Sequence, residues 1–598
     1  MIAGIDVSDP VRVLVRNAAS GRWLQFSHPL EIVSAVSLAE VVPALLQVED
    51  AAARRGLYAA GFVSYEAAPA FDPALMAHDG GGFPLLWFGL YDNVEEVDLP
   101  SPRPDLAKID WQASVGFAEF EANVRRIQEL IRSGETYQVN YTYRLGALLA
   151  ADPWEFFLHL VAAQEPPYGA FADTGQWVIA SASPELFFEL AGEHITCRPM
   201  KGTAGRGLTQ VGDLAQAVAL RASEKERAEN VMIVDMVRND LGRVAEPGSV
   251  EVPRLFRVEK YPTVWQMTSI IEARTKASLS DIFRALFPPA SITGAPKVRT
   301  MEIIAQLEPS PRRIYSGAVG FIAPGRRAQF NAAIRTLLLD RRAHRAEYGV
   351  GGGITWDSQP EAEWQECRDK ARILTARTPD FCLLETMLWT PEEGYFLLGR
   401  HLERLVQSAG YFGFNVGLPT VRPELERLAA RLARMRHKVR LLVKRDGRVS
   451  LEAETLPADN CAPQRVTVAS GPVNSSNPFL YHKTTNRGLH EAARAACPGY
   501  DDVLLFNEKG EATESTIANL AVEIEGRLYT PPVRCGLLPG ILRADLIEQR
   551  TLLERPMTVR EVLQSPRVLF LNSVRGMYRV QVVAVPENNT HRSLFPVG

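Results

Sequence analysis

Residues 197–207 read CRPMKGTAGRG and contain one lysine, Lys201. The proline and the three glycines allow tight turns and a close approach of the backbone to a ligand, so we predict a loop here. An arginine stands on each side, at Arg198 and Arg206, where its charge would attract an anion. The pattern is typical either of a nucleophilic lysine or of an exposed surface lysine. The sequence before and after Lys201 is needed to distinguish between these two interpretations.

Length and composition describe an ordinary globular chain. Its 598 residues suggest two to four folding units, with 46% hydrophobic residues, 23% charged residues and a net charge of −4. There is no basic tail to bind nucleic acid and no apolar run long enough to cross a membrane. The first ten residues, MIAGIDVSDP, lack the basic and apolar regions of a secretory signal. Six cysteines without a CxxC pair favour reduced thiols and a cytoplasmic location.

Periodicity predicts a mixed α/β (α+β) chain in two parts. Strands with turns alternate with amphipathic helices, which we expect at about residues 37–55, 117–133, 215–238, 279–286, 296–306 and 360–376. The sequence RTPD at 377–380 reads as a linker, after which a new series of strands and helices begins. We therefore predict a first domain at 1–376 and a second at 377–598.

Acidic residues in the first domain could form a metal site. Glu185 follows a Ser-Pro pair, Glu229 lies on the long helix, and Glu363 and Glu366 share one face of the last helix. Carboxylates from two helices that converge on one hard cation would suit Mg²⁺. The alternative is a solvated, charged helix face.

Two further segments suit an anionic ligand. The run YGVGGGITWDS at 348–358 offers consecutive amides, including those of Gly351 and Gly352, that could form a carboxylate-binding nest. Arg335, in FNAAIRTLLLD, could bind a second carboxylate with both nitrogens. A tight turn and a structural arginine are the alternatives.

These segments occur in an order that resembles a known family. SASPE, RPMKGT, ERAENVMIVDMVRNDLGRV, SITGAPKVRTMEIIAQLEP, IRTLLLD, YGVGGGITWDS and EAEWQECRDKA follow one another between residues 115 and 376. Together they resemble the chorismate-utilising enzymes, which include anthranilate synthase and component I of aminodeoxychorismate synthase. The resemblance implies an α/β sandwich with the active site between its layers. Lys201 in PMKGT and the non-histidine Phe287 match the aminodeoxychorismate type, since anthranilate synthases carry alanine and histidine there.

The resemblance also implies roles for individual residues. Lys201 would attack C2 of chorismate, and Glu185 would act as the acid that helps the C4 hydroxyl leave. Glu229 and Glu366 would bind Mg²⁺, with Glu363 behind them. The substrate carboxylates and the metal end would be held by Arg335, Tyr348, Gly351, Gly352 and Lys370.

The second domain carries a different set of polar residues. Arg404 lies on an amphipathic helix, Lys483 follows a strand-like run, and Glu514 stands just before a strand. Gly540 precedes a helix whose N-terminus could bind a phosphate. A lysine, a carboxylate and a phosphate site are the parts that pyridoxal phosphate needs, although ordinary surface roles would explain each residue alone.

The ordered motifs HLxRL, KTTNR, ExTxxN and LLPGxxR resemble the fold-type IV pyridoxal phosphate enzymes over about residues 381–580. The resemblance makes Lys483 the Schiff-base lysine and pairs Glu514 with the pyridine nitrogen. The phosphate would be held by Arg404, Gly540, Ile541 and Ser573. Thr386 would help to deliver protons near the substrate.

The two resemblances together imply synthesis of 4-aminobenzoate, a folate precursor. The first domain would aminate chorismate at C4, and the second would eliminate pyruvate from the product. The rival is an anthranilate synthase-type domain joined to a branched-chain or D-amino acid aminotransferase-like domain; a binding protein with inactive domains is a third interpretation. Because the chain has no GxCxG-like glutaminase turn, ammonia would come from a separate glutamine amidotransferase subunit. A homodimer through the second domain is also compatible with this interpretation.

Overall fold

The computed structural model describes residues 11–103, 109–148, 152–375, 379–457 and 463–583. The chain forms two compact units, one of Met1–Gly205 with Gln216–Thr378 and one of Arg206–Ala215 with Pro379–Gly598. The domain boundary expected at 376/377 and the N-terminal decapeptide lie outside the described residues. Among the described helices, none is both long enough and apolar enough to cross a membrane.

Strands of the first unit form two antiparallel sheets with ten strands each in the described residues. The first sheet contains β1 (Val11–Arg16), β2 (Trp23–Ser27), β6 (Glu95–Val97), β7 (Gln112–Ala113), β8 (Gln138–Leu148), β9 (Ala170–Thr174), β10 (Trp177–Ser181), β16 (Gly294–Ala295), β19 (Thr336–Asp340) and β20 (Arg345–Ile354). Its order is β16-β8-β20-β19-β10-β9-β1-β2-β6, and β7 also pairs with β8.

The second sheet of this unit contains most of residues 197–207, the segment around Lys201 that we call the lysine segment. It contains β3 (Glu31–Ala35), β4 (Tyr58–Val63), β5 (Leu86–Tyr91), β11 (Leu186–Ala191), β12 (His194–Arg198), β13 (Met200–Gly205), β14 (Glu251–Lys260), β15 (Val264–Arg274), β17 (Ala318–Ala323) and β18 (Arg327–Ala332). The order is β13-β15-β12-β11-β18-β17-β4-β5-β3, and β14 also pairs with β15.

Nine α-helices lie in the described residues up to 375. They are α1 (Leu38–Arg54), α2 (Ala68–Phe71), α3 (Phe117–Arg132), α4 (Pro153–Gln164), α5 (Gln210–Ala222), α6 (Glu224–Gly242), α7 (Leu279–Leu286), α8 (Lys297–Leu307) and α9 (Pro360–Ala371). One core packs α1, α6 and α7 on the second sheet, and another packs α3, α4 and α8 on the first. A third core, with Phe26 from β2 and Phe62 from β4, joins the sheets face to face. The expected α/β sandwich is therefore confirmed.

The second unit has a four-stranded and an eight-stranded sheet in its described part. The smaller sheet has the order β22-β21-β23-β24, made of β21 (Leu383–Thr390), β22 (Gly394–Tyr395), β23 (His437–Val443) and β24 (Val449–Thr455). The larger contains β25 (Gln464–Val468), β26 (Asp502–Phe506), β27 (Ala512–Ser515), β28 (Asn519–Ile524), β29 (Arg527–Thr530), β30 (Leu553–Glu554), β31 (Val568–Asn572) and β32 (Gly576–Val583). The helices are α10 (Leu398–Phe412), α11 (Leu418–Ala429), α12 (Gly488–Ala495), α13 (Ile541–Glu548) and α14 (Val559–Gln564).

Three predictions of local structure were wrong. The expected helix at 215–238 is two helices, because the hydroxyl of Ser223 accepts the N–H of Glu226 and caps the start of α6. The expected last helix to residue 376 ends at Ala371 and continues as one 3₁₀ turn. The lysine segment is the edge strand β13, not a loop, because it pairs with β15.

Candidate active sites

Lys201 lies on β13 beside an irregularity in the strand. The register between β13 and β15 shifts between Met200 and Thr203, and Gly202 has a φ of +106°. A Cβ at Gly202 would lie 3.0 Å from Met267 and 3.2 Å from a carboxylate oxygen of Glu226, so a larger residue would push strand and helix apart. This glycine therefore lets α6 approach the lysine closely.

All the residues predicted for the first site line one cavity of about 170 Å³. They come from different elements: Glu185 precedes β11, Glu229 lies on α6, and Arg335 precedes β19. The others are Lys201, Tyr348, Gly351, Gly352, Glu363, Glu366 and Lys370. The fold thus brings together residues that are up to 185 positions apart in the sequence, between Glu185 and Lys370.

Glu185 is placed to act as an acid near neutral pH. Burial raises the pKa of its carboxyl to about 7, although a hydrogen bond from Ser291, the N–H of Met200 and the charge of Lys201 oppose the rise. The Met200 nitrogen lies 3.2 Å from the carboxylate oxygen. The Ser291 contact was not predicted, because the motif that contains Ser291 served only to identify the family resemblance.

The glycine run does not form the expected nest, and that prediction was wrong. Residues 349–353 belong to β20 and pair with β8 in register, with Gly351 opposite Thr142. A nest is built by successive residues in right-handed and left-handed helical backbone conformations, whereas these residues are in an extended strand. The glycines instead make room: a Cβ at Gly349 would lie 2.3 Å from the ring of Tyr315, and one at Gly353 would lie 2.6 Å from Nζ of Lys201.

Carboxylates from α6 and α9 face the cavity together with two lysines. Nζ of Lys201 lies 3.0 Å from Glu229, and Nζ of Lys370 lies 2.7 Å from Glu366. Lys370 also donates to the Gly351 carbonyl at 2.8 Å. The hydroxyl of Ser358 donates to Glu363 at 2.7 Å. Glu229 and Glu366 thus each have a lysine side chain as a partner.

The donor set of this cavity fits a hard cation, although its carboxylates are not arranged as a ready-made chelate. In the described parts of the chain no three His, Cys, Asp or Glu side chains are grouped closely enough to hold a metal ion. Burial and the neighbouring carboxylates raise the pKa of Glu226 and of Glu363, which shows that negative charge is crowded here. Mg²⁺ uses few protein carboxylates and keeps several waters, so Glu229 and Glu366 suit it. Glu226 is a further candidate that the sequence did not reveal.

Arg335 and Tyr348 offer hydrogen-bond donors to a carboxylate. Arg335 has a φ of +52°, a left-handed conformation that is strained for a non-glycine residue, and it donates to the Gln164 side chain at 2.9 Å. Tyr348 is buried, and burial raises the pKa of its hydroxyl, which therefore stays protonated. Its hydroxyl lies 3.5 Å from the Lys370 carbonyl.

The arginines beside the lysine segment do not serve the predicted anion site. Arg198 donates to the hydroxyl of Tyr168 at 3.0 Å and to the carboxylate of Glu259. Arg206 groups with the second unit and donates to Asp213 at 2.7 Å. Neither arginine lines the cavity that contains Lys201.

The residues predicted for the second site also share a cavity, of about 340 Å³. These are Thr386, Arg404, Lys483, Glu514, Gly540, Ile541 and Ser573. Burial, together with the positive charges of Arg404 and Arg487, lowers the pKa of Lys483 to about 8. A neutral amine is therefore accessible near physiological pH.

Glu514 is held in place by its own hydrogen bonds. One oxygen accepts from the side chain of Asn519 at 3.0 Å, and the other accepts from the N–H of Leu538 at 3.2 Å. A Cβ at Gly540 would lie 1.8 Å from the amide oxygen of Asn519, so only glycine fits where the chain enters α13. The carboxylate and the helix start are thus fixed by one asparagine.

A buried carboxylate that the sequence analysis missed holds Arg404. Glu385 accepts from the Arg404 guanidinium at 2.9 and 2.7 Å and from Nδ1 of His401 at 2.7 Å. Glu385 is 1% exposed and stands between the buried residues Leu383 and Met387 on one face of β21. A carboxylate at an inward strand position requires a cationic partner, and that pattern could have revealed it.

The second cavity has the groups that pyridoxal phosphate requires. Arg404, the first amides of α13 and the hydroxyl of Ser573 provide phosphate donors, while Lys483 and Glu514 provide an amine and a carboxylate. We conclude that the residues present fit this cofactor.

Comparison with known proteins places the chain in a family. Residues 12–376 match the family model described as chorismate binding enzyme. The chain belongs to this family. Residues 382–583 match the model described as amino-transferase class IV. Both the family prediction and the predicted fold class are therefore confirmed.

The relatives are similar to the first unit. Aminodeoxychorismate synthase component 1 of Escherichia coli (strain K12) is 44% identical over 278 residues, which is 46% of this chain and 61% of that protein. An anthranilate synthase component 1 of Haloarcula marismortui is 41% identical over 281 residues, 47% of this chain and 56% of that protein. The chain thus spans about three-fifths of the length of these two curated relatives.

The fold of the first unit also has solved counterparts. The crystal structure of anthranilate synthase component I from Streptococcus pneumoniae TIGR4 superposes with a TM-score of 0.53 and 25% identity. The match covers 62% of this chain and 94% of that chain. It supports the two-sheet architecture and does not distinguish between the activities of the family.

Proposed function

We propose that the chain makes 4-aminobenzoate, a folate precursor, from chorismate in two steps. The first unit would replace the C4 hydroxyl by an amino group, with ammonia supplied by a separate glutamine amidotransferase subunit. The second unit would eliminate pyruvate from 4-amino-4-deoxychorismate. One observation carries the proposal: the amine of Lys201 and the carboxyl of Glu185 line the same cavity.

In the first step Lys201 and Glu185 would act in sequence. The Lys201 nitrogen forms a bond to C2 while the C4–O bond breaks, and Glu185 gives its proton to the departing hydroxyl, which leaves as water. Ammonia then bonds to C4 while the C2–nitrogen bond to Lys201 breaks. The excess proton on the new amine returns to Glu185. A covalent amine divides one difficult displacement into two easier ones.

The remaining cavity residues would hold and polarise the substrate. Arg335 and the hydroxyl of Tyr348 would bind one carboxylate. Mg²⁺, held by Glu229 and Glu366, would supply a counter-charge for the ring carboxylate at the far end of the conjugated ring. Glu363 and Lys370 would keep these ligands in position through their contacts with Ser358 and Glu366.

In the second step Lys483 would move a proton. With a pKa of about 8, part of its amine is neutral at pH 7 and can take the α-proton of the substrate. Arg404, Gly540, Ile541 and Ser573 would hold the phosphate, and Glu514 would face the ring nitrogen. Thr386 would assist proton delivery. The bound cofactor supplies the electron sink for this elimination.

The rival function is that of an anthranilate synthase-type unit joined to an aminotransferase. Relatives of both kinds match the first unit at similar identity. Lys201 favours amination at C4, because a covalent amine at C2 blocks that carbon while ammonia adds elsewhere. The two functions give different products, 4-aminobenzoate and 2-aminobenzoate, which chromatography separates.

The proposal is tested with chorismate, ammonium, Mg²⁺ and pyridoxal phosphate. Wild-type protein should form 4-aminobenzoate and pyruvate in equal amounts. Lys201→Ala should stop chorismate consumption but still convert supplied aminodeoxychorismate, whereas Lys483→Ala should accumulate aminodeoxychorismate. Lys276→Ala, an exposed lysine, serves as the control. Formation of 2-aminobenzoate by the wild type, or normal rates in both variants, would refute the proposal.

A further inference from the structure

Arg312 is a buried arginine behind the wall of the cavity that contains Lys201. Its side chain is 1% exposed, and Glu308 accepts from its Nε at 3.0 Å and from its Nη2 at 2.6 Å. Glu308 is buried as well. Desolvation of such a pair offsets most of its attraction, so the pair matters mainly for the contacts that it fixes.

The other bonds of the Arg312 guanidinium reach two segments of the cavity wall. Nη1 donates to the carbonyl of Ile292 at 3.0 Å, and Nη2 donates to the carbonyl of Asn140 at 2.7 Å. Asn140 lies on β8, Ile292 ends the 3₁₀ turn Ala290–Ile292, and both residues line the cavity. The Asn140 side chain also donates to the Ile292 carbonyl, at 3.2 Å. Arg312 therefore fastens this turn to β8.

The turn presents a hydroxyl to the proposed acid. Ser291, the residue before Ile292, donates a hydrogen bond to the carboxylate of Glu185. Burial raises the pKa of Glu185, and the Ser291 bond is the strongest influence that opposes the rise. Lys201 on β13 and Tyr261, which follows β14, are the titratable groups that also act on this carboxyl, since each lies close enough for their charges to interact.

We propose that Arg312 is a positioning residue for the acid of the first unit. It holds the turn that carries Ser291, and Ser291 in turn orients the carboxyl of Glu185 toward the bound substrate. Neither Arg312 nor Glu308 lines the cavity, so both act through other residues. A lysine at 312 would keep the positive charge but lose the planar fork that binds a carboxylate and two carbonyls together. This inference rests on the proposed function of the first unit.

Titration of Glu185 without substrate tests the positioning directly. The infrared band of its protonated carboxyl is isolated by subtracting the spectrum of Glu185→Gln in the same background. Ser291→Ala should raise the pH at which this carboxyl loses its proton by about one unit, because a bond to the charged form is lost. Arg312→Lys should shift the titration in the same direction. The double variant should shift no further than Ser291→Ala, because both changes act through one bond.

Arg341→Lys is the matched control. Arg341 binds both oxygens of Asp173, at 2.5 and 2.6 Å, and neither residue lines the cavity. This variant should leave the titration of Glu185 unchanged. Glu308→Gln keeps the shape of the partner of Arg312 but weakens its hold, so it should give a smaller shift of the same sign. It replaces Arg312→Lys in the test if that variant does not fold.

Activity provides the second measurement. Arg312→Lys should lower kcat for ammonium-dependent consumption of chorismate about tenfold, with the Michaelis constant for chorismate within about threefold. The alkaline limb of its kcat profile should move to higher pH together with the titration of Glu185. An unchanged titration in Arg312→Lys and Glu308→Gln, or a double variant whose shift is the sum of the single shifts, would overturn the inference. If wild-type protein consumes no chorismate with ammonium, the proposed function fails, while the titration still decides whether Arg312 positions Glu185.

Discussion

The buried charge of Glu385 should contribute strongly to the stability of the second unit. The arginine and histidine that it binds lower the pKa of its buried carboxyl to about 2, from an ordinary value of 4.5. At about 1.4 kcal/mol for each pKa unit, this shift corresponds to ~3 kcal/mol of stability at neutral pH. Removal of one partner from a buried ion pair costs a similar amount, about 3–5 kcal/mol. Glu385→Gln should therefore destabilise this unit by about 3 kcal/mol.

The pH dependence of this effect has a defined sign. A depressed carboxyl pKa stabilises the folded state above the unfolded value of 4.5, and the contribution is lost as the pH falls towards 2. Glu385→Gln should therefore lower stability most at neutral pH. Between pH 4.5 and 2 the difference between variant and wild type should shrink.

Hydrogen exchange of the full chain can measure the effect for each unit separately. Peptides from β21 and α10 should lose protection in Glu385→Gln, while peptides from the first unit serve as an internal reference. Glu452→Gln is the matched control, because Glu452 pairs with Arg440 on the surface, where such pairs contribute about 0–1 kcal/mol. If peptides from β21 and α10 are equally protected from hydrogen exchange in the two variants, Glu385 does not hold Arg404 in place.

Two further predictions concern the first unit. Burial raises the pKa of Glu185 to about 7, so as the pH rises this carboxyl loses its proton in the unfolded state before it does so in the folded state. The free energy of unfolding should therefore decline between pH 4.5 and 7. Glu185→Gln should abolish amination yet raise the stability of the unit at pH 8 by about 3 kcal/mol, measured by hydrogen exchange; a pH-independent difference would contradict this. Glu229→Gln and Glu366→Gln should each weaken Mg²⁺ binding about tenfold or more in calorimetry, whereas the exposed Glu224→Gln should not. Unchanged titrations would place the cation elsewhere.

Ordered motifs predicted which residues gather at each site. The residues selected on either side of Lys201 come from strands and helices far apart in the sequence, and all line one cavity. The same holds for those around Lys483. The motifs predict the members of each site because the fold brings all the motifs of one unit to the same cavity.

Local backbone conformation was harder to predict, because glycine permits both turns and close packing. The glycines near Lys201 suggested a loop, and those at 349–353 suggested a nest. Pairing with β15 and with β8 makes both segments strands. The glycines are explained by what would occupy the space of a Cβ, which depends on partners distant in the sequence.

The sequence also did not reveal which carboxylate pairs with each arginine. Arg404 could be selected from its motif, but its partner Glu385 lies 19 positions away on another element. Arg198 looked available for an anion until the fold paired it with Glu259. Motifs indicate which charges reach a site, whereas the three-dimensional arrangement decides which of them remain free for a ligand.

The two lysines that we propose as reactive show why this difference matters for the proposed chemistry. Nζ of Lys201 lies 3.0 Å from the carboxylate of Glu229, so the proposed attack on the substrate requires Lys201 to leave this ion pair first. Lys483 has arginine neighbours and a buried position, which lower its pKa and keep part of the amine neutral in advance. Under the proposed function, the first site would keep Lys201 in this ion pair until the substrate rearranges the charges. Under the proposed function, the second site would need the neutral amine of Lys483 from the start, since that amine would meet the cofactor before any substrate arrives.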